Sequence, residues 1–358
     1  MSPPRPLLWL AAAGAVALAA GVAGAAQGGP ASEPAVRELV GQRLVVAMRG
    51  TTPSASLLAR VRRGEIGGVI LFGSNITGPA QLRRLTARVQ AEARAGGRPP
   101  LLIATDQEGG GVRRLPWAGP ALSATALGRT SSAAVRREGR DAGKALRAAG
   151  VNVDLAPVAD IPATGSFMAA DQRTFSSAGK VVGSLAASFA AGLHDEHVAA
   201  TAKHFPGIGR ARRNTDLAAV TISAGAPALA RDLGPFRTLI GQGVPLVMVS
   251  NATYAAYGDK PAAWSPRVQT LLRGELGFQG VTITDALDGA AATRHLSLPA
   301  ATALAAQAGI DLLLLIGSEA SSAAAYERLV MLAQEGSIAP PSLRRSYDRI
   351  LALKHAYG

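Results

Sequence analysis

Residues 101–111 read LLIATDQEGGG, an apolar run over Leu101–Asp106 that stops abruptly at Asp106-Gln107-Glu108 and a glycine triplet. A run this apolar has no polar face to offer water, so it describes a strand covered on both sides, as in a parallel sheet. Working outward, similar runs occur at Arg43–Met48, Gly68–Phe72, Val151–Val158, Ala200–Phe205, Val244–Ser250, Val281–Asp285 and Leu312–Ile316, which makes eight in all. Longer helix-like segments lie between or after them: Pro79–Ala95, Thr130–Ala149, Lys180–Glu196, Ala226–Gly241, Pro266–Gly274, Pro299–Ala308, Glu319–Gln334 and Pro341–Tyr357. Pro79 stands at a plausible first turn and Gly150 at a plausible stop. Eight alternations in about 320 residues predict the α/β class and a single-domain (β/α)8 TIM-like barrel. The main rival is a doubly wound open sheet. Its phosphate-cradling G-x-G-x-x-G is missing after the first strand, where Arg49-Gly50-Thr51-Thr52-Pro53 stands instead.

Composition narrows the chemistry. The 358 residues are 48% apolar and 17% charged, with no cysteine. That balance excludes a disordered chain, a disulfide scaffold, a thiolate metal site and a cysteine nucleophile. The formal net charge is +13, and only five of the 37 basic residues are lysine. Such charge suits nucleic acid, a membrane surface or an anionic polymer such as a cell wall. The basic residues fall in scattered pairs such as Arg62-Arg63 and Arg344-Arg345, with no run and no interleaved aromatics, so no nucleic-acid partner is expected. The five histidines are dispersed, and His194-x-x-His197 reads as a surface pair on a helix. Neither a metal nor a cofactor is expected.

Residues 1–27, MSPPRPLLWLAAAGAVALAAGVAGAAQ, carry one early charge at Arg5, an apolar stretch, and Ala23-Gly24-Ala25 as a cleavage pattern. They read as a secretory signal or, if uncleaved, as a membrane anchor over residues 7–26. Residues 28–34 would form a spacer and 35–358 the barrel. A secreted or envelope-bound bacterial protein is the expectation, with a membrane contact only through the uncleaved leader.

In a parallel barrel the active site forms where the strands end. Strand three ends in Asp106-Gln107-Glu108, with Arg113-Arg114 close behind. Strand five ends in Lys203-His204, strand six near Ser250-Asn251, and strand seven in Thr284-Asp285. Strand four is followed by Asp160 and, after an insertion, Arg173. Any one aspartate here could merely cap the next helix, and Lys203 could serve only structure. The cluster as a whole needs polar partners, because unpaired charge is expensive to bury. A substrate rich in hydroxyls would supply them. Asp311, at the start of strand eight, falls at the opposite face and reads as structural.

These motifs occur in an order that resembles glycoside hydrolase family 3, specifically its single-domain β-N-acetylhexosaminidases acting on peptidoglycan fragments. The matching stretches are GGVILFGSNI (67–76), ATDQEGGGVRRL (104–115), VNVDLAPVADI (151–161), RTFSS (173–177), KHFPGIG (203–209), DKPAAWS (259–265) and GFQGVTITDAL (277–287). The resemblance implies that Asp285 is the nucleophile of a retaining glycosidase. It places Asp106, Arg114, Arg173, Lys203 and His204 around the sugar of the −1 subsite. Ionised Asp285 would form the glycosyl-enzyme, while Asp106 accepts from sugar hydroxyls and the cations donate to them.

The chain departs from the family in the loop after KHFPG. Where the hexosaminidases read Asp-Ser-His, with histidine as acid/base, this sequence reads Asn214-Thr215-Asp216. Asp216 then becomes the candidate acid/base, given a raised pKa. Arg210, Arg212 and Arg213 in the same loop would act against that rise. An impaired catalyst and a non-catalytic sugar-binding descendant stay open beside it, as does a Schiff-base lyase built on Lys203. Gly111, where the family often has arginine, and Asn251, where it often has histidine, are further departures.

Overall fold

The computed structural model describes residues 34–358; the leader or anchor read at 1–27, and all but the last residue of the spacer, lie outside the described residues. All eight expected strands are present: β1 Leu44–Ala47, β2 Gly68–Leu71, β3 Leu102–Thr105, β4 Val153–Asp154, β5 Ala199–Phe205, β6 Leu246–Val249, β7 Val281–Thr284 and β8 Leu313–Leu315. They pair in parallel in chain order, and β8 pairs back onto β1 with Leu44 opposite Leu313. The seam between β7 and β8 is joined by Leu312 N–H to the Thr282 carbonyl (2.8 Å) and Thr284 N–H to the Leu312 carbonyl (3.0 Å). The ring is therefore closed, which leaves the eight-stranded sheet without an edge.

Inside the ring pack Val45, Ile70, Leu102, Ala104, Val153, Leu246, Met248, Val281, Ile283, Leu312 and Leu314. The intervening residues, among them Leu44, Val46, Val69, Ile103, Val247 and Leu313, face the helices and belong to a separate outer core. Two buried faces per strand explain why the sequence showed runs rather than alternation. Each fully buried Leu, Val or Ile contributes about 1.5–3 kcal/mol relative to exposure.

The α-helices of five or more residues are α1 Val36–Gly41, α2 Ala55–Arg63, α3 Pro79–Ala95, α4 Ser132–Ala148, α5 Gly179–Asp195, α6 Ala226–Asp232, α7 Gly234–Gly241, α8 Pro266–Thr270, α9 Leu287–Ala292, α10 Leu298–Gln307, α11 Glu319–Gln334 and α12 Pro340–Tyr357. Expected helix 226–241 is broken into α6 and α7, because Pro235 cannot donate within a helix and sits instead in the first turn of α7. Helix α2, not anticipated, is started by the Ser54 hydroxyl accepting from Leu57 N–H, and it ends at Gly64 in the left-handed region at φ 79°. No helix among the described residues is long and apolar enough to cross a membrane.

The lower face carries the structural charges. Asp311 is fully buried and accepts from Arg349 (2.7 Å), Ser346 (2.7 Å) and the Thr282 backbone (2.9 Å), with Arg273 also paired to it. Its reading as a structural residue agrees with this network. Buried Arg43 donates to the Ile310 carbonyl at 2.6 Å and the Asp311 carbonyl at 3.2 Å, satisfying groups just after α10.

Candidate active site

The inward alternation of each strand, carried one step past its end, gives the floor of the upper cavity. Leu102 and Ala104 lead to Asp106, Val281 and Ile283 to Asp285, and Ala199 leads along β5 to Lys203. Asp106, Arg114, Arg173, Lys203, His204, Asp216 and Asp285 all line one cavity of about 450 Å³, within the size range of ligand pockets. Every candidate named from the sequence is thus brought together.

A chain of charges crosses the cavity. Lys203 Nζ lies 2.8 Å from Asp106 Oδ1 and 2.6 Å from Glu108 Oε1. Arg173 grips Glu108 with two hydrogen bonds, Nε at 2.9 Å and Nη2 at 2.7 Å. Arg114 Nη2 stands 3.8 Å from Asp106 Oδ2, and its guanidinium lies over the Phe72 ring. Glu108 was not singled out from the sequence as a site residue, yet it links Lys203 to Arg173. Burial opposes its ionisation, but Lys203 and Arg173 outweigh this and hold its carboxyl well below the ordinary range. Lys203 is 2% exposed, and burial alone would lower its pKa; Asp106 and Glu108 reverse that and raise it. A lysine held charged in this way is a hydrogen-bond donor, not a Schiff-base nucleophile.

His204 is fixed from behind. Asp160, fully buried, takes its Nδ1 at 2.8 Å, and the other Asp160 oxygen accepts from Ile208 N–H at 2.8 Å. Gln107 points away and braces the following loop, accepting from Leu115 N–H (2.9 Å) and donating to the Gly119 carbonyl (2.9 Å). That loop carries Arg114.

Asp285 differs from the other carboxylates of the site. Its Oδ1 accepts from Ala286 N–H at 2.8 Å, and its backbone N–H is held by the Val249 carbonyl at 2.9 Å. Among the described residues no Lys or Arg forms an ion pair with it. Behind it, buried Asn251 donates to the Ala286 carbonyl at 2.8 Å, tethering the peptide that follows the one donating to Asp285.

Asp216 reaches the same cavity from the loop after β5. The Asn214 side chain accepts from Asp216 N–H at 2.9 Å, an Asx turn that shapes the tip. Gly289 on α9 lets the loop settle: a Cβ there would stand 2.8 Å from both Asp216 Cα and its carbonyl oxygen. Desolvation first, and the Asp285 charge second, push the Asp216 carboxyl up to about 7, against the opposing pull of His204 and Arg173. The loop arginines do not neutralise it: Arg210 is engaged with Asp232 at 2.6 Å, and Arg212 and Arg213 face solvent.

A barrel of this form has known counterparts. Residues 35–353 match the glycosyl hydrolase family 3 N-terminal domain. A secreted glycosyl hydrolase of Arthroderma benhamiae is 36% identical over 88% of this chain and 92% of its own length. A beta-hexosaminidase of Alkalilimnicola ehrlichii is 37% identical over 76% of this chain and 80% of that protein. The solved glycoside hydrolase family 3 beta-N-acetylglucosaminidase from a Paenibacillus species superposes with a TM-score of 0.87 and 32% identity, covering 91% of this chain and 63% of that longer one. Fold, cavity and sequence agree: the chain belongs to glycosyl hydrolase family 3 and is a glycoside hydrolase.

Proposed function

We propose that the protein is a retaining β-N-acetylhexosaminidase that removes terminal N-acetyl-β-glucosaminyl units from cell-wall fragments, with Asp285 as nucleophile and Asp216 as acid/base. The observation that carries this reading is Asp285 itself, an inward carboxylate at the end of β7, oriented by Ala286 N–H and paired with no cation among the described residues. Its remaining oxygen is available to attack C1 of a pyranose. As the Asp285–C1 bond forms and the C1–O bond breaks, protonated Asp216 delivers its proton to the departing oxygen. Esterified Asp285 is neutral, so the charge that raised the Asp216 pKa is gone and its carboxylate is fit to take a proton from water. That water attacks C1 and releases Asp285. Asp106 and the Lys203–Glu108–Arg173 chain, with Arg114 and His204, would hold the sugar hydroxyls.

Support for the sugar comes from the relatives, described as beta-hexosaminidases and a beta-N-acetylglucosaminidase. Support for export comes from the leader-like residues 1–27 and from a relative described as secreted. The net charge of +13 suits an anionic cell-wall substrate. The test is hydrolysis of aryl N-acetyl-β-glucosaminides by the wild type and Asp285→Ala. Turnover that vanishes in the variant is expected; turnover that persists removes Asp285 from the role. Saturable binding of N-acetylglucosamine with no hydrolysis in the wild type would instead establish a sugar-binding protein.

A further inference from the structure

A second cavity, of about 580 Å³, opens beside the base of the loop that carries Asp216. Its wall is formed by residues 161–164, the first turn of α5, the end of α6 and the start of α7, with Arg210 entering from the loop. Three cations line it, Lys180, Arg210 and Arg231, against one carboxylate, Asp232. Only Arg210 is matched: its Nε and Nη2 lie 2.6 and 3.1 Å from the two oxygens of Asp232, which is buried. Lys180 and Arg231 make no side-chain hydrogen bond or ion pair among the described residues, and both are exposed. Three positive charges less one negative leave the cavity with a net charge of +2. The Ser177 and Thr164 hydroxyls also line it. Ala178, the N-cap of α5, has no side-chain acceptor to offer the first turn.

The cavity is joined to the catalytic loop by Arg210. On either side of that residue the loop is sewn down through its backbone, the Gly209 carbonyl accepting from Ala163 N–H (2.8 Å) and the Ala211 carbonyl from Phe167 N–H (3.1 Å). The Arg210–Asp232 pair is the side-chain tie between these stitches, six residues before Asp216. A ligand anion would compete with Asp232 for the same guanidinium fork.

We propose that this cavity binds a small multivalent anion of the phosphate class, inorganic phosphate or a phosphate monoester, through Lys180, Arg231 and Arg210, and that binding weakens the Arg210–Asp232 tie and slows turnover. Arginine forks and a lysine point charge are the groups that recognise phosphate oxygens, and the volume admits a phosphate with a small organic ester. The slowing rests on the reading of Asp216 as acid/base; the binding does not.

The experiment is calorimetric titration of the full chain with inorganic phosphate and with glycerol 3-phosphate at ionic strength fixed by sodium chloride, repeated on the Lys180→Glu/Arg231→Glu double variant. Saturable binding is expected in the wild type, weakened by about tenfold or more in the variant, since two charged contacts are reversed. The variant should melt like the wild type and hydrolyse an aryl glycoside at the same basal rate. Phosphate should lower kcat in the wild type only. Tighter binding of glycerol 3-phosphate assigns the site to an ester, and the converse to phosphate itself. Absence of saturable heat with both probes, or equal binding by the double variant, overturns the site. Binding without any change in kcat overturns the coupling alone, and a wild type without turnover refutes the hydrolase reading while calorimetry still decides the site.

Discussion

The acid limb of the proposed mechanism can be tested through the charge on Asp216. Its carboxyl is raised from an ordinary value of 3.8 to about 7, with burial the larger cause and Asp285 the next. At pH 7 an ordinary aspartate would be protonated in about one molecule in 1,600, whereas a group titrating at 7 is protonated in about half. The environment therefore multiplies the acid form by nearly three orders of magnitude, on the scale of what general acid catalysis typically contributes. For an aryl glycoside with a poor leaving group, kcat/KM should decline as pH rises through about 7. Asp216→Asn should abolish that limb and cut the rate by about 10²–10⁴-fold, with a much smaller loss for a nitrophenyl leaving group that departs without a proton. A direct check is available in Asp285→Asn, which does not need turnover. Removing the neighbouring negative charge must lower the Asp216 pKa; carboxyl carbon NMR would follow the titration. An Asp216 that titrates unchanged in Asp285→Asn would show that the two carboxylates do not sense each other, and the acid/base assignment would fail.

Other outcomes follow from the same geometry. Glu108→Gln leaves buried Lys203 and Arg173 short of one negative charge, so urea denaturation at pH 7 should show a loss of about 3–5 kcal/mol; a loss below about 1 kcal/mol would mean that the chain of charges is not a structural unit. Because the folded pKa of Glu108 is depressed, its contribution is fully present above its unfolded value and fades as pH falls through the folded one. Gly289→Ala sets a Cβ against the backbone of Asp216 and should lower kcat by up to about 10²-fold through misplacement of the acid, with the circular dichroism spectrum unchanged; a wild-type kcat would show that the loop finds its place without this contact. Asp154 is raised to about 8, chiefly by burial, although its Oδ1 accepts from Gln107 N–H at 2.9 Å. A raised carboxyl binds its proton more tightly in the folded state, so stability should fall as pH climbs from the ordinary carboxylate range toward 8. Asp154→Asn, which keeps the acceptor, should flatten that slope between pH 5 and 8 in urea titrations, and an unaltered slope would refute a neutral Asp154.

The barrel was legible because its strands are buried on two faces, so Leu101–Asp106 and its counterparts stand out as apolar runs with a polar final residue. The site candidates were legible for the same reason, each lying at the C-terminal end of a run or just beyond it. Glu108 was hidden by its setting in a glycine-rich loop, although alternation from Asp106 through Gln107 places it on the same side as Asp106. Asp160 read only as a polar residue after strand four, since its grip on His204 depends on two strands being neighbours in space. Helix α2 escaped because it is only nine residues long and three of its last four are arginine. Gly289 carried no signal at all: a glycine chosen to admit another segment's backbone looks in sequence like any other.

That glycine ties together two parts of the chain otherwise set far apart. The strand that ends in Asp285 runs directly into α9, and the Asp216 loop lies on the side of that helix a few residues on. The spacing between the two carboxylates is thus gauged by one short rigid stretch and not across the full width of the ring, so breathing of the opposite strands would leave it unchanged. Sequence drift elsewhere around the mouth can then reshape the far wall without retuning the distance between the two carboxylates on which the proposed bond cleavage depends.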